Sequence, residues 1–297
     1  MIIVKLWGGL CNQLFQYAFG YAMSEKTHDE VAFDIAFYDD QPGHVSKRQV
    51  ISTEEFSLSK IGFVDRPIWV KPFENKYVSH LIRFNTGCNI KLPGLRFIME
   101  HKHHYYDKVP YQSGTVNYYD GYWQTAKYFE DYKESIRKEF TPSGDVKDAV
   151  RRWKDSVNSQ ETVAVHIRRG DYLCKTNLRN TNQGVFNSTD YYFKAINMMR
   201  ERLNDPVFCF FSDDLEWCKE TFGKKVNNCQ FVEHSGGHLA MKDLFSIAAC
   251  EHGIMSPSTF SWWGNWLREN NDNSIEIAPK NDNYYEHFLM DNWIEIK

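Results

Sequence analysis

Three short apolar runs in the second half of the chain each end in a cluster of polar residues, with helical spacing between them. Val163–Ile167 runs into Arg168, Arg169, Gly170 and Asp171; Val207–Phe211 into Ser212, Asp213 and Asp214; Gly253–Met255 into Ser256, Pro257, Ser258 and Thr259. A strand buried on both faces reads as a continuous apolar run, and such strands alternate with helices in parallel sheets. The carboxyl ends of parallel strands share one edge, so the three clusters would gather where α/β sheets hold ligands. The pattern restricts the chain to the α/β class.

Two adjacent guanidiniums at such an edge are costly to desolvate unless an anion or an acidic side chain meets them. A phosphate-bearing ligand beside His166, Arg168 and Arg169 is the direct reading. Strand alternation puts His166 and Arg168 on one face and turns Arg169 away, which makes Arg168 the principal ligand and Arg169 its support. Asp171 suits a bidentate pair that orients an arginine. His166 stays open between a ligand neighbour and a hydrogen-bonded core histidine. Ser212 and Asp213 add the middle cluster, in a position where helix capping is the plain alternative. Ser258 and Thr259, followed by Phe260, stand where a helix begins, and cap hydroxyls, exposed N–H groups and helix dipole together make a phosphate seat. Asp243 lies in a mostly apolar helical stretch. A carboxylate there can accept from guanine N1 and N2, although a surface position on an amphipathic helix accounts for it first. No D-x-D triplet occurs to anchor a divalent metal, so arginine and helix dipole would take over that work.

The first half opens with a strand (Ile2–Leu6), a Gly-containing turn, a helix (Leu14–Lys26) and a strand ending in an acid (Val31–Asp34). The order imitates a dinucleotide-binding fingerprint, but the third Gly is missing, so the turn reads as an ordinary βαβ entry with Asn12 and Gln13 near a cleft. Residues 39–110 carry no clear period. His101–His104 lacks acidic or Cys partners at fixed spacing and reads as a solvated loop. Tyr118–Gln124 is strand-like, and Ala126–Phe140 has helical spacing. Thr141–Gly144 breaks the pattern and divides the chain into domains 1–144 and 145–297. In the second domain Phe231–Glu233 and Ile275–Ala278 read as strands, and Trp262, Trp263 and Trp266 as core.

Composition narrows the function. A formal net charge of −4 gives no basic field to attract nucleic acid. The seven Cys are scattered and several sit in apolar runs, as buried free thiols in a reducing compartment would. No stretch approaches the roughly 20 apolar residues of a membrane helix, and the start is too short for a signal-peptide core, so a cytoplasmic protein is expected. An aromatic content of 16% fits core packing first and sugar recognition second. Two rivals follow: an NAD-dependent oxidoreductase using the Gly8 turn, and a non-catalytic carbohydrate-binding protein.

His166-Ile-Arg-Arg-Gly-Asp171 resembles the H-x-R-R-x-D signature of GDP-fucose-dependent fucosyltransferases. Gly8–Ala18 is similar to the start of the bacterial α-1,2-fucosyltransferases of glycosyltransferase family 11, and Asp243–Phe245 with Ser256–Leu267 to their C-terminal block. Tyr118–Phe129 also resembles that group. The resemblance implies a GT-B-like α/β fold of two Rossmann-like domains facing across a cleft. It implies an inverting galactoside 2-α-L-fucosyltransferase that needs no metal or other cofactor. GDP-β-L-fucose would occupy the C-terminal half, and a β-galactoside acceptor glycan mainly the N-terminal half. By motif, Arg168 falls at the pyrophosphate, His166 against the nucleotide, Asp243 at guanine, Ser258, Thr259 and Phe260 in the diphosphate loop, and Asn12 at the donor–acceptor junction. Some relatives carry a carboxylate where this chain has Thr176, which leaves Asp171 and Asp34 as base candidates. A lipid-linked acceptor would bring peripheral contact with the inner membrane face.

Overall fold

A computed structural model describes residues 1–38, 50–52, 56–75, 78, 89–101, 106, 108–157, 161–169, 189–268, 273–280 and 287–297. Asp171, Thr176 and residues 102–104 of the His-rich stretch lie outside the described residues. The chain forms two compact units, Met1–Thr141 with Asn283–Met290, and Pro142–Asp282 with Asp291–Lys297.

The first unit opens with β1 (Ile2–Lys5), α1 (Leu10–Thr27) and β2 (Val31–Asp34). α1 begins one turn earlier than its apolar spacing predicts. Gly8, at φ +80°, turns the chain, and Gly9 O then accepts from Asn12 N and Gln13 N at 2.9 and 3.2 Å. Gly20 lets α1 lie close on the sheet, since a Cβ there would meet Phe33 at 2.9 Å. β3 (Phe63–Val64), β4 (Asn89–Leu92), β5 (Leu95–Met99) and β6 (Val116–Asp120) complete a six-stranded sheet in the order β3-β2-β1-β6-β5-β4. β4 pairs antiparallel with β5, and the other pairs are parallel. The opposite face packs Ile3, Phe97, Met99 and Tyr118 under Val70 of a 3₁₀ turn, Ile68–Glu74.

The single helix expected over Ala126–Phe140 is broken into two 3₁₀ turns and α2 (Lys133–Glu139). Phe129 leaves helical angles (φ −136°, ψ 10°) while its ring packs fully buried against Phe15, at a centroid distance of 6.2 Å. The second domain is also not the contiguous 145–297: Asn283–Met290 belongs to the first unit. There Phe288 is buried 6.4 Å from the Phe15 ring, and Tyr106 N donates to His287 Nδ1 at 3.0 Å.

The second unit comprises α3 (Gly144–Ser156), β7 (Thr162–Ile167), α4 (Thr189–Arg202), β8 (Val207–Ser212), α5 (Leu215–Phe222), β9 (Cys229–Phe231), α6 (Leu239–Ala249), β10 (His252–Ile254), α7 (Thr259–Trp266), β11 (Glu276–Pro279) and β12 (Ile294–Ile296). Its six strands are all parallel, in the order β12-β11-β10-β7-β8-β9. β9 ends where the expected strand Phe231–Glu233 began, and β12 adds a strand beyond the expected Ile275–Ala278. Alternation along β7 sends Val163, Val165 and Ile167 into one core, with α4 and α5, and Ala164 into another, with Ile247 of α6 and Phe260 of α7. Helices therefore cover both faces. Trp262 and Trp263 are fully buried and Trp266 nearly so, as the helical spacing predicted.

This is an α/β, GT-B-like fold of two Rossmann-like units. Each sheet starts at a central strand, grows one way and then reverses. The reversal falls between β1 and β6 in the first unit and between β7 and β10 in the second. Open α/β sheets hold ligands at such points, outside the carboxyl ends of the strands.

Candidate active site

β7 and β10 run parallel with Ile254 opposite Val165, so the residues just beyond them meet at the reversal. His166 and Ser256 are the first to do so: His166 Nδ1 and Ser256 Oγ lie 2.9 Å apart, and Ser256 Oγ lies 3.2 Å from Ser258 Oγ. Ser258 is the N-cap of α7 and its Oγ accepts from Ser261 N at 3.1 Å, while Trp262 N donates to Ser258 O. Thr259 and Phe260 form the first turn, and the Phe260 ring covers His166 at 5.1 Å between centroids. Burial, with the positive charge of Arg168 adding to it, pushes the His166 pKa down to about 3, so the imidazole is neutral at physiological pH. Strand end, Arg168 cation and capped helix start are groups whose chemistry favours an anion.

The two arginines part ways at the end of β7. Arg169 turns toward α5: its N–H donates to Asp213 Oδ1 at 2.8 Å, its Nε donates to Asp214 Oδ2 at 3.0 Å, and its guanidinium stacks 3.7 Å from the Trp217 ring centroid. Asp214 also caps α5 through Trp217 N, and Ser212 Oγ accepts from Asp214 N. Asp213 thus holds the backbone that follows Arg168, and Ser212 the turn that carries Asp214. Asp214, Arg169's side-chain partner, is not singled out by the sequence, where a strand–turn–acid pattern reads first as a cap. Nor is Ser256, whose role depends on the β7–β10 register, which no local pattern carries.

Asp243 lies one turn into α6, on the same sheet face as Phe260, and its side chain is 30% exposed. Burial raises its pKa to about 7. His234 Nε2 stands 3.9 Å away, but burial and Lys242 depress the His234 pKa as well, so it offers no full positive charge. A carboxylate this poorly neutralised suits a ligand that brings its own N–H donors.

The first unit carries a second cluster at its own reversal. Trp7 and Tyr122 stack at 4.0 Å, with Phe37 tilted against Trp7 at 6.2 Å. Gln16 locks the pair: its Oε1 accepts from Trp7 N at 3.0 Å, and its Nε2 and the Trp7 indole N–H both donate to Gly121 O. Asn12, on the first turn of α1, accepts from Gln124 Nε2 at 2.9 Å. Asp34 is fully buried and engaged by Ala36 N, Tyr118 OH and Arg66, so it serves neither as a base nor as a ribose-binding acid.

The model for glycosyl transferase family 11 matches residues 1–297. An Escherichia coli alpha-1,2-colitosyltransferase is 32% identical over 281 residues, spanning 94% of this chain and 91% of its own. The human galactoside alpha-(1,2)-fucosyltransferase 1 is 32% identical over 151 residues, 47% of this chain and 40% of its own. Among solved structures, a NodZ alpha-1,6-fucosyltransferase soaked with GDP-fucose superposes with a TM-score of 0.54 at 12% identity, covering 90% of this chain and 92% of its own. The full-length match, the identity to a transferase over nearly the whole chain and the shared two-unit α/β fold lead to one assignment: the chain belongs to glycosyl transferase family 11.

Proposed function

We propose that the chain is an inverting transferase that moves L-fucose from GDP-β-L-fucose to the 2-hydroxyl of a terminal β-galactoside. The observation that carries this reading is the joining of β7 and β10 at the sheet reversal, through His166, Ser256 and the capped start of α7, beside Arg168. A nucleoside diphosphate fits its sign of charge, and Asp243 adds a carboxylate suited to guanine N1 and N2. The galactose 2-oxygen attacks the anomeric carbon as the bond to the β-phosphate oxygen breaks. GDP leaves from the opposite face with the electron pair, the hydroxyl proton passes to solvent or to a carboxylate such as Asp171, and a β-linked donor becomes an α-linked product. Charge grows on the leaving phosphate, where Arg168 and the α7 dipole stabilise the transition state more than the ground state. No resident metal is assigned to the reaction, and its place is the cytoplasm.

The acceptor side is assigned to the first unit, where Trp7 and Tyr122 stack and offer aromatic surface. A second donor reading comes from the E. coli relative's name: colitose is the 3-deoxy counterpart of L-fucose, and both are consistent with the same diphosphate site. A thermal-shift panel of GDP, GDP-fucose, UDP and NAD tests the nucleotide, and NMR of the product formed from lactose tests the linkage. Stabilisation by GDP and an α-1,2-fucosyl product are expected; stabilisation by NAD without GDP overturns the assignment. Turnover of GDP-colitose with none of GDP-fucose transfers it to the second donor.

A further inference from the structure

The hydroxyls behind His166 form a chain whose direction can be worked out by counting protons. Ser261 N–H donates to Ser258 Oγ, Ser258 Oγ lies 3.2 Å from Ser256 Oγ, and Ser256 Oγ lies 2.9 Å from His166 Nδ1. Ser256 is almost wholly buried and Ser258 nearly so, which in the ligand-free protein favours a protein partner for each hydroxyl proton. If the chain ran outward from His166, Nδ1–H would donate to Ser256 and Ser256 to Ser258. Ser258 Oγ would then receive two donors, and its own proton would be left without a described acceptor. In the other direction Ser258 donates to Ser256 and Ser256 donates to Nδ1, so every proton in the chain is placed.

The inward direction leaves the imidazole proton on Nε2, which takes no partner among the described residues. Outward running would leave Nε2 with a lone pair and no proton to give to the anion proposed beside it. We propose that Ser256 is a positioning residue that locks His166 as its Nε2–H tautomer, so that a neutral imidazole presents a fixed donor to an anionic oxygen of the diphosphate. The inference rests on the nucleotide assignment above and deepens it. Because the ring is uncharged, it adds a directed hydrogen bond without a second cation beside Arg168, and the cap of α7 supplies the direction.

The test is the ¹⁵N NMR signature of His166 in the full chain labelled at histidine, with His166→Gln identifying the signal, alongside calorimetric titration with GDP. Wild type should show a protonated Nε2 and a bare Nδ1 in both the free and the GDP-bound protein. Ser256→Ala should mix the tautomers and weaken GDP binding by about tenfold, the scale of one hydrogen bond to a charged group. Ser256→Thr, which keeps the hydroxyl, should restore both readouts. A wild-type signal with the proton on Nδ1 overturns the proposal, as does unchanged GDP binding in a folded Ser256→Ala protein. Should Ser256→Ala fail to fold, the wild-type spectrum decides alone. A locked Nε2–H tautomer in a protein that ignores GDP would instead count against the nucleotide assignment, which keeps the two failures apart.

Discussion

Arg168 and Arg169 are adjacent in sequence and opposite in role, and mutation should separate them. Arg169 is held by Asp214 and Trp217, so Arg169→Ala should cost about 1–2 kcal/mol of stability, read by denaturant titration. Arg168→Ala should leave the melting temperature near wild type and lower kcat roughly a hundred- to a thousand-fold, as removing a charged transition-state donor does. Near-normal turnover in a folded Arg168→Ala protein would sink the diphosphate assignment. Asp243 yields a pH prediction. Its folded pKa is raised from the ordinary 3.8 to about 7, so between those values the folded state binds more protons than the unfolded chain. The ligand-free protein should therefore lose stability as pH rises from about 4 to about 7, and Asp243→Asn should flatten that slope. Guanine needs the ionised form, so GDP affinity should climb over the upper part of the same window and cease to do so in Asp243→Asn. A melting profile with the same slope in both proteins would refute the assignment of the titrating group.

The β10–α7 corner shows how one element pair sets the site. A Cβ on Gly253 would meet Asn265 Oδ1 at 1.8 Å and Arg268 Nη2 at 3.0 Å, so only glycine lets α7 return this closely over β10. Arg268 ties the corner together, pairing with buried Glu276 at 2.7 Å and donating to Cys250 O and His252 O. Gly253→Ala should lower stability by about 1–3 kcal/mol or more, since backbone-tethered neighbours must shift, and should weaken GDP binding beyond that. A variant as stable as wild type would show that the corner can relax. The second unit's elements were largely legible in the sequence because its strands are short, apolar and separated by capped helices: β8 (Val207–Ser212) and β11 (Glu276–Pro279) follow the expected Val207–Phe211 and Ile275–Ala278 within a residue. The first unit's sheet was less so. β3, β4 and β5 lie in a stretch where Pro, Gly and charged residues interrupt every period, and β4 is a hairpin edge strand with two exposed residues. The candidate site residues that motifs carry could be named from the sequence; Ser256, Asp214 and Arg268 could not, because their partners come from register and tertiary contact.

At the scale of the whole molecule the chain is two sheets with separate cores, each with its own reversal point, and this predicts that donor and acceptor functions can be perturbed independently. The proposed anion site is built from residues of the second unit. The Trp7–Tyr122 stack belongs wholly to the first, with its backbone pinned by Gln16 and by Glu100, whose Oε2 accepts from Tyr122 N at 2.7 Å. Both aromatic side chains are half-buried, as a platform that keeps one surface for a sugar would be. Trp7→Ala should therefore raise the acceptor KM by about tenfold, the equivalent of roughly 1.4 kcal/mol of lost contact, while the GDP dissociation constant and the GDP-fucose KM stay unchanged. Trp7→Phe, which keeps an aromatic ring in the stack, should recover most of the loss, and a melting curve checks that Gln16 still holds the loop. An increase in the donor KM with the acceptor KM untouched would place Trp7 on the nucleotide side and reverse the division of labour between the units. Loss of kcat alone, at constant KM for both substrates, would remove Trp7 from ground-state binding and leave the acceptor platform without its central residue.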